Sequence, residues 1–225
     1  MTLKLFKILK FVFLLFISIN LINCSKDNKL FNKLSSKQTN IFFNNTIIEN
    51  DTLNILNDEY VFNGGGVIAV DFNNDGLKDL FFSGNQKTNK LYLNKGNFKF
   101  KDVSSVSEIE AKDKWSTGIT YSDINNDGLI DIYVCAAMKK ENRNNMMFIN
   151  KGIDKNTGEI IFQEMAKEYG IDDSGNSMGA VFFDYNKDGF MDLYVLNNEQ
   201  NKSIPTNYRK KIVDGSAVSN DKLYK

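Results

Sequence analysis

Three nine-residue phrases in this chain each present carboxylates and an amide oxygen at spacings that suit a single cation. They are Asp71-Phe-Asn-Asn-Asp-Gly-Leu-Lys-Asp79, Asp123-Ile-Asn-Asn-Asp-Gly-Leu-Ile-Asp131 and Asp184-Tyr-Asn-Lys-Asp-Gly-Phe-Met-Asp192. Side-chain oxygens fall at positions 1, 3, 5 and 9: Asp71, Asn73, Asp75 and Asp79 in the first, Asp123, Asn125, Asp127 and Asp131 in the second, Asp184, Asn186, Asp188 and Asp192 in the third. Calcium takes roughly six to eight oxygens at about 2.3 to 2.6 Å. A tight loop adds the backbone carbonyl of position 7, here Leu77, Leu129 and Phe190. Position 6 is Gly76, Gly128 or Gly189, which permits the positive φ of a sharp turn. Three carboxylates held within a few ångströms repel one another unless a cation offsets them. Hard oxygen ligands without His or Cys select calcium over zinc or copper, and magnesium, which demands a strict octahedron and keeps its water, fits less well. About three calcium ions per chain are expected on this reading.

Two plainer readings compete. An EF-hand shares the first six positions but needs a bidentate Glu at position 12, where this chain has Phe82, Val134 and Val195. Metal-free turns rich in Asp, Asn and Gly are common. Three copies that keep the same four oxygen positions argue against that alternative.

The elements that must hold these loops recur with them. Gly66, Gly118 and Gly179 each precede the opening aspartate by five residues, and successive opening aspartates lie 52 and 61 residues apart. Between phrases, Leu91-Tyr92-Leu93-Asn94-Lys95-Gly96 is answered by Met147-Phe148-Ile149-Asn150-Lys151-Gly152. The first period contains four short strand candidates, 67–70, 80–83, 90–93 and 98–101, each bounded by Gly or Asn turns. Four antiparallel strands per repeat make a β-propeller blade, so the fold class is all-β. The best helical stretches, 104–111 and 164–169, are one or two turns, too short for a βαβ alternative. A further strand is expected near 41–48. Lys222-Leu223-Tyr224-Lys225 matches the start of the third strand, giving about three blades of an incomplete propeller. Propellers close with roughly four to eight blades, so the expectation is a truncated chain or closure by another chain.

The phrases, with Gly64-Gly65-Gly66 before the first and Phe182-Phe183-Asp184-Tyr185 opening the third, resemble FG-GAP/VCBS repeats. The flavour is similar to that of bacterial CRTAC-type proteins carrying an ASPIC/UnbV tail, a segment not seen here. The resemblance covers about residue 54 to the C-terminus. It implies an integrin-α-like propeller in which each calcium loop joins the first two strands of a blade.

The N-terminus reads as an export signal over residues 1–23: Lys4, Lys7 and Lys10 precede the apolar run Phe11 to Ile19, too short to span a bilayer comfortably. Leu21-Ile22-Asn23-Cys24 resembles a lipobox, with Asn23 where Gly, Ala or Ser is usual, and predicts lipidation of Cys24. An uncleaved anchor or an ordinary signal peptide are the alternatives. Residues 24–58 read as a polar tether and 59–225 as the repeats. The expected address is the outer membrane, through the lipid alone, with Ser25-Lys26-Asp27 weakly resembling a surface-export signal. Cys135, the only other cysteine, excludes a disulfide framework and reads as a small buried hydrophobe.

Composition narrows the function. The 28 basic and 28 acidic residues balance and are scattered, which argues against nucleic acid. Histidine is absent, so His-based nucleophilic or metal chemistry is excluded within this sequence. Glu108, Glu110, Glu164 and Glu168 could pair in principle but fall in expected turns. The reading is a non-catalytic calcium-binding surface or secreted module that contacts a protein or carbohydrate partner through its loops. Lys112 to Ser116 with Trp115, Lys139 to Asn145 and Asn197 to Asp221 are the candidate contact stretches. The rivals are a fragment of a polysaccharide-processing enzyme and a truncated product without independent function.

Overall fold

The computed structural model describes residues 29–138, 141–198, 212–217 and 219–225. The export signal, Cys24 and the adjoining Ser-Lys-Asp lie outside the described residues. The chain divides into two units, Met1–Leu34 and Ser35–Lys225. Of the first, residues 29–34 are described and contain no helix or strand. The second opens with one short helix, α1 (Ser36–Thr39), started by a reciprocal capping box between Ser35 and Gln38.

Among the described residues eleven strands then form three antiparallel sheets in simple meander order. The first blade is β1 (Val67–Val70), β2 (Asp79–Phe82), β3 (Lys90–Asn94) and β4 (Phe100–Asp102). The second is β5 (Ser116–Ser122), β6 (Asp131–Ala136), β7 (Met146–Ile153) and β8 (Ile160–Glu164). The third is β9 (Ser177–Phe183), β10 (Asp192–Asn197) and β11 (Lys222–Tyr224). These are blades of an incomplete propeller. Their register repeats: Leu80 faces Tyr92, Ile132 faces Phe148 and Leu193 faces Tyr224. The terminal Lys-Leu-Tyr is therefore the third strand of the third blade.

Period-two alternation makes the second blade a wall between two cores. Ile132, Val134, Ala136, Met146 and Phe148 face the first blade, packing with Phe81, Leu91 and Ile68. Tyr133, Cys135, Met147 and Ile149 face the third, packing with Leu193 and Val195. Each Val, Ile, Leu, Phe or Met among these, removed from water, contributes about 1.5 to 3 kcal/mol. This placement makes Cys135 fully buried, with its thiol pKa raised by desolvation.

Blades meet where side chains are absent. A Cβ on Gly66 would lie 2.6 Å from Ile119 Cγ1, and one on Gly118 would lie 2.4 Å from the Met178 carbonyl oxygen. Gly179, the third member of the series, has nothing within 4 Å of that point. The Thr117 hydroxyl donates to the Ser177 carbonyl at 2.7 Å, and the Gly66 N–H donates to the Thr117 carbonyl at 3.2 Å, tying neighbouring blades together.

Three expectations change. Residues 41–48 form no strand. The segment is extended with alternate residues half-buried, but side chains take its hydrogen bonds: Gln86 both donates to the Ile48 carbonyl and accepts from its N–H, and Asn45 pairs with Asn85. Phe43 stacks on Phe82 at 5.3 Å. Residues 104–111 and 164–169 form no helix, with turns at 104–108 and 166–170 and Glu164 ending β8, and the fourth strand starts at Phe100 because Asn97 and Phe98 both take positive φ.

Candidate metal centres

Each Asp-rich phrase spans the hairpin between the first two strands of its blade, with position 1 just after the first strand and position 9 opening the second. The fold of the loop is written in its own side chains. In the first loop the Asp71 carboxylate accepts from the N–H of Asp75 at 3.1 Å and of Gly76 at 2.8 Å. The Asn73 carbonyl oxygen accepts from the Asp75 N–H at 3.2 Å, and Asp75 from the Leu77 N–H at 2.9 Å. Asp79 reaches back to accept from the Phe72 N–H at 3.0 Å.

The second and third loops reproduce this pattern to within about 0.1 Å. The Asp123 contacts are 3.1 and 2.8 Å, the Asp184 contacts 3.1 and 2.9 Å. Asp131 accepts from Ile124 and Asp192 from Tyr185, both at 3.0 Å. Gly76, Gly128 and Gly189 sit at φ of 85°, 83° and 88°, the positive values expected of position 6. Position 4 also turns left-handed, at Asn74, Asn126 and Lys187. This strains lysine more than asparagine, whose short amide tolerates that region.

In every loop positions 1 and 3 thus meet at the N–H of position 5, and position 9 is tied to the N–H of position 2. In the first two loops the position-9 carboxyl also feels the neighbouring aspartates. Burial raises the Asp79 carboxyl above its ordinary value against the pull of two backbone N–H groups, and the Asp75 and Asp71 charges raise it further. Asp131 is pushed up to about 6, chiefly by burial, with Asp127 and Asp123 adding to it.

The arrangement is not a finished cage. Among the described residues no group of three or more His, Cys, Asp and Glu side chains stands ready to hold a metal by itself. The asparagine oxygens are not yet free for a cation either. Asn73, Asn125 and Asn186 each turn an amide N–H to the position-5 carboxylate, at 3.0, 2.9 and 2.7 Å, where a cation would otherwise serve as its counter-charge. The donor set fits calcium in kind: hard oxygens on a tight loop, with the asparagine oxygen available once the amide turns.

Two residues at these centres are missing from the expected set. The backbone N–H groups of Asn94 and Asn150 donate to the second oxygen of Asp79 and Asp131, both at 2.8 Å. Their side chains then bond the carbonyls of Lys78 and Ile130 at position 8. The recurring Asn-Lys-Gly of the third strand is the signal that marks them. Positions 82, 134 and 195, where an EF-hand would place its Glu, lie inside strands.

Strand direction places the other candidate stretches. The second strand of each blade runs away from its Asp-rich loop, so the connections after it, together with the approaches to each first strand, lie at the opposite ends of the sheets. Residues 112–116, 141–145 and the described parts of 197–221 all belong there. Trp115 is a correction: it is 3% exposed, enclosed with Val61 and Ala137, and Ser116 beside it is buried as well. A tryptophan this apolar is worth more in a core than on a loop. A cavity of about 600 Å³ opens nearby, lined by Ile48, Leu53, Gln86, Lys87, Trp115 and Met138 among others. Of the glutamates, Glu110 pairs with Lys112 at 3.4 Å and Lys90 at 4.0 Å, and Glu164 accepts from the N–H of Met147 and Ala166.

Four-stranded blades whose first hairpin is an Asp-x-Asn-x-Asp-Gly loop define a class of repeat protein. The FG-GAP-like repeat matches the chain over residues 71–134 and again over 123–195, and the chain belongs to that family. It is similar to human cartilage acidic protein 1 (27% identity over 139 residues, 60% of this chain and 20% of that protein). It is also similar to a T-cell immunomodulatory protein homolog of Plasmodium yoelii yoelii (26% over 193 residues, 78% of this chain and 25% of that protein). The mouse cartilage acidic protein 1 matches at 25% over 144 residues, 60% of this chain and 21% of that protein. The chain spans a fifth to a quarter of the length of these relatives. No helix among the described residues is long and apolar enough to cross a membrane.

Proposed function

We propose that this chain is an exported calcium-binding propeller module that recognises a protein or carbohydrate partner and performs no chemistry on it. The observation that carries the reading is the threefold repetition of one hydrogen-bonded loop of three aspartates and an asparagine; in the first two loops the position-9 carboxyl is raised by burial and, further, by its neighbouring aspartates. Asp71, Asn73, Asp75, the Leu77 carbonyl and Asp79 would hold the first ion. Asp123, Asn125, Asp127, the Leu129 carbonyl and Asp131 would hold the second, and Asp184, Asn186, Asp188, the Phe190 carbonyl and Asp192 the third. The ion supplies positive charge where the carboxylates meet. The chain's own residues do the rest: position 9 joins the ion site to the second strand, and the glycine sets the turn.

Recognition belongs to the opposite ends of the sheets, where the connections between strands and the 600 Å³ cavity lie. Separating the two keeps the partner's contacts clear of the metal ligands. A non-catalytic role accords with Glu110 and Glu164 being engaged in structural contacts. Cys24 supplies a lipid anchor at the outer membrane, and Cys24→Ser should abolish incorporation of labelled palmitate.

Equilibrium dialysis against radioactive calcium tests the central part. The expected result is three ions bound per chain at millimolar calcium. No bound calcium would reduce the loops to polar turns.

A further inference from the structure

The first two loops touch each other through bonds that the third does not share. The Asn74 side-chain amide, at position 4 of the first loop, donates to the Gly128 carbonyl of the second at 3.1 Å. The fully buried Asn150 lies between them: its amide donates to the Phe72 carbonyl of the first loop at 2.9 Å and to the Ile130 carbonyl of the second at 3.2 Å. Its backbone N–H meanwhile holds Asp131, the position-9 ligand of the second site. Asn94, the counterpart of Asn150 in the first blade, bonds its own loop at Lys78 and no other. Among the described residues no hydrogen bond joins the second loop to the third, although Asn126 occupies the place of Asn74.

We infer that the first and second loops form a coupled pair that takes up calcium cooperatively, with Asn74 and Asn150 as the positioning residues that link them, while the third loop fills independently. The inference rests on the calcium reading of the loops. Without a cation, mutual repulsion of the carboxylates favours opening of a loop. The bonds from Asn74 to Gly128 and from Asn150 to Phe72 can form together only when both loops are closed. An ion that closes one loop therefore makes closing the other less costly, which is positive coupling between two sites. Two hydrogen bonds, one of them fully buried, place the coupling at roughly tenfold in affinity, within the usual range for linked sites.

Three glycine amides report the sites separately, because Gly76, Gly128 and Gly189 each donate to the position-1 carboxylate of their own loop. In protein labelled with ¹⁵N-glycine and titrated with calcium chloride, the Gly76 and Gly128 signals should move together on a curve steeper than simple binding. Gly189 should follow its own simple curve. Asp127→Ala, which disables the second site, should raise the calcium midpoint at Gly76 by roughly tenfold and leave Gly189 unmoved. Asn74→Ala, at an exposed position, should flatten the Gly76 and Gly128 curves, while Asn126→Ala should leave them steep. A Gly76 midpoint unchanged in Asp127→Ala, or one shifted equally at Gly189, overturns the coupling. If calcium moves none of the three glycines, the calcium reading itself fails and the coupling with it; three independent curves sink the coupling alone.

Discussion

Phe72, at position 2 of the first loop, is fully buried and meets Phe162 of the second blade edge-on at 6.0 Å; Tyr185, at the same position of the third loop, is 53% exposed. The contrast extends through the blades. The position-9 carboxylates Asp79 and Asp131 each accept from two backbone N–H groups, whereas among the described residues only the Tyr185 N–H reaches Asp192. Phe81 and Tyr133 are fully buried against the next blade, while their counterpart Tyr194 is 37% exposed. Yet the hydrogen bonds inside the three loops agree closely. Nine residues are enough to set the loop's shape, and its support comes from the third strand and the neighbouring blade.

The largest expected effect lies at the interface glycines. Gly118→Ala forces a Cβ into the Met178 backbone and should cost about 3 kcal/mol in urea unfolding, the scale of a severe overpacking change. Gly179→Ala, with open space at that point, should stay within about 0.5 kcal/mol. Equal effects would remove the distinction between supported and unsupported blades. Next come the loops themselves. In millimolar calcium, Asp127→Ala should lower stability by roughly 2 kcal/mol and Asp188→Ala by roughly 1, because the second site also supports the first.

A pH scan in chelator sharpens the same contrast. The folded Asp131 carboxyl keeps its proton up to about 6, against an ordinary value of 3.8, so between these the folded chain binds more protons than the unfolded one. Stability must then fall as pH rises through that window, on the order of 2 kcal/mol from this group, with Asp79 acting in the same direction. Calcium should remove the loss, since it needs the ionised form. The smallest effect concerns the surface pair of Lys101 and Glu159, at 2.5 Å between the first two blades. Lys101→Ala should change stability by less than about 0.5 kcal/mol, as exposed ion pairs do.

Much of this was legible in the residues themselves. The period of the Asp-x-Asn-x-Asp-Gly phrase and the strand pattern around it gave the blades, and Lys222-Leu223-Tyr224 fell into the register its likeness to Lys90-Leu91-Tyr92 implied. What pattern could not supply was partnership across blades. Trp115 reads as a loop residue because its neighbours are polar, yet its ring is enclosed by residues distant in sequence such as Val61. Residues 41–48 alternate like a strand but satisfy their backbone through Gln86, a side chain nearly forty positions away. Asn150 sits in a recurring turn motif, and only the fold shows that its amide reaches Phe72 in another blade.

Thermal unfolding of the same protein in excess chelator and in millimolar calcium is the most direct trial of the metal assignment. With site affinities near 0.1 mM, as in weak extracellular modules, three filled loops should raise the melting temperature by about 10 °C. Identical melting in both conditions would mean that the clustered aspartates are at peace without a cation, contrary to everything inferred from their convergence.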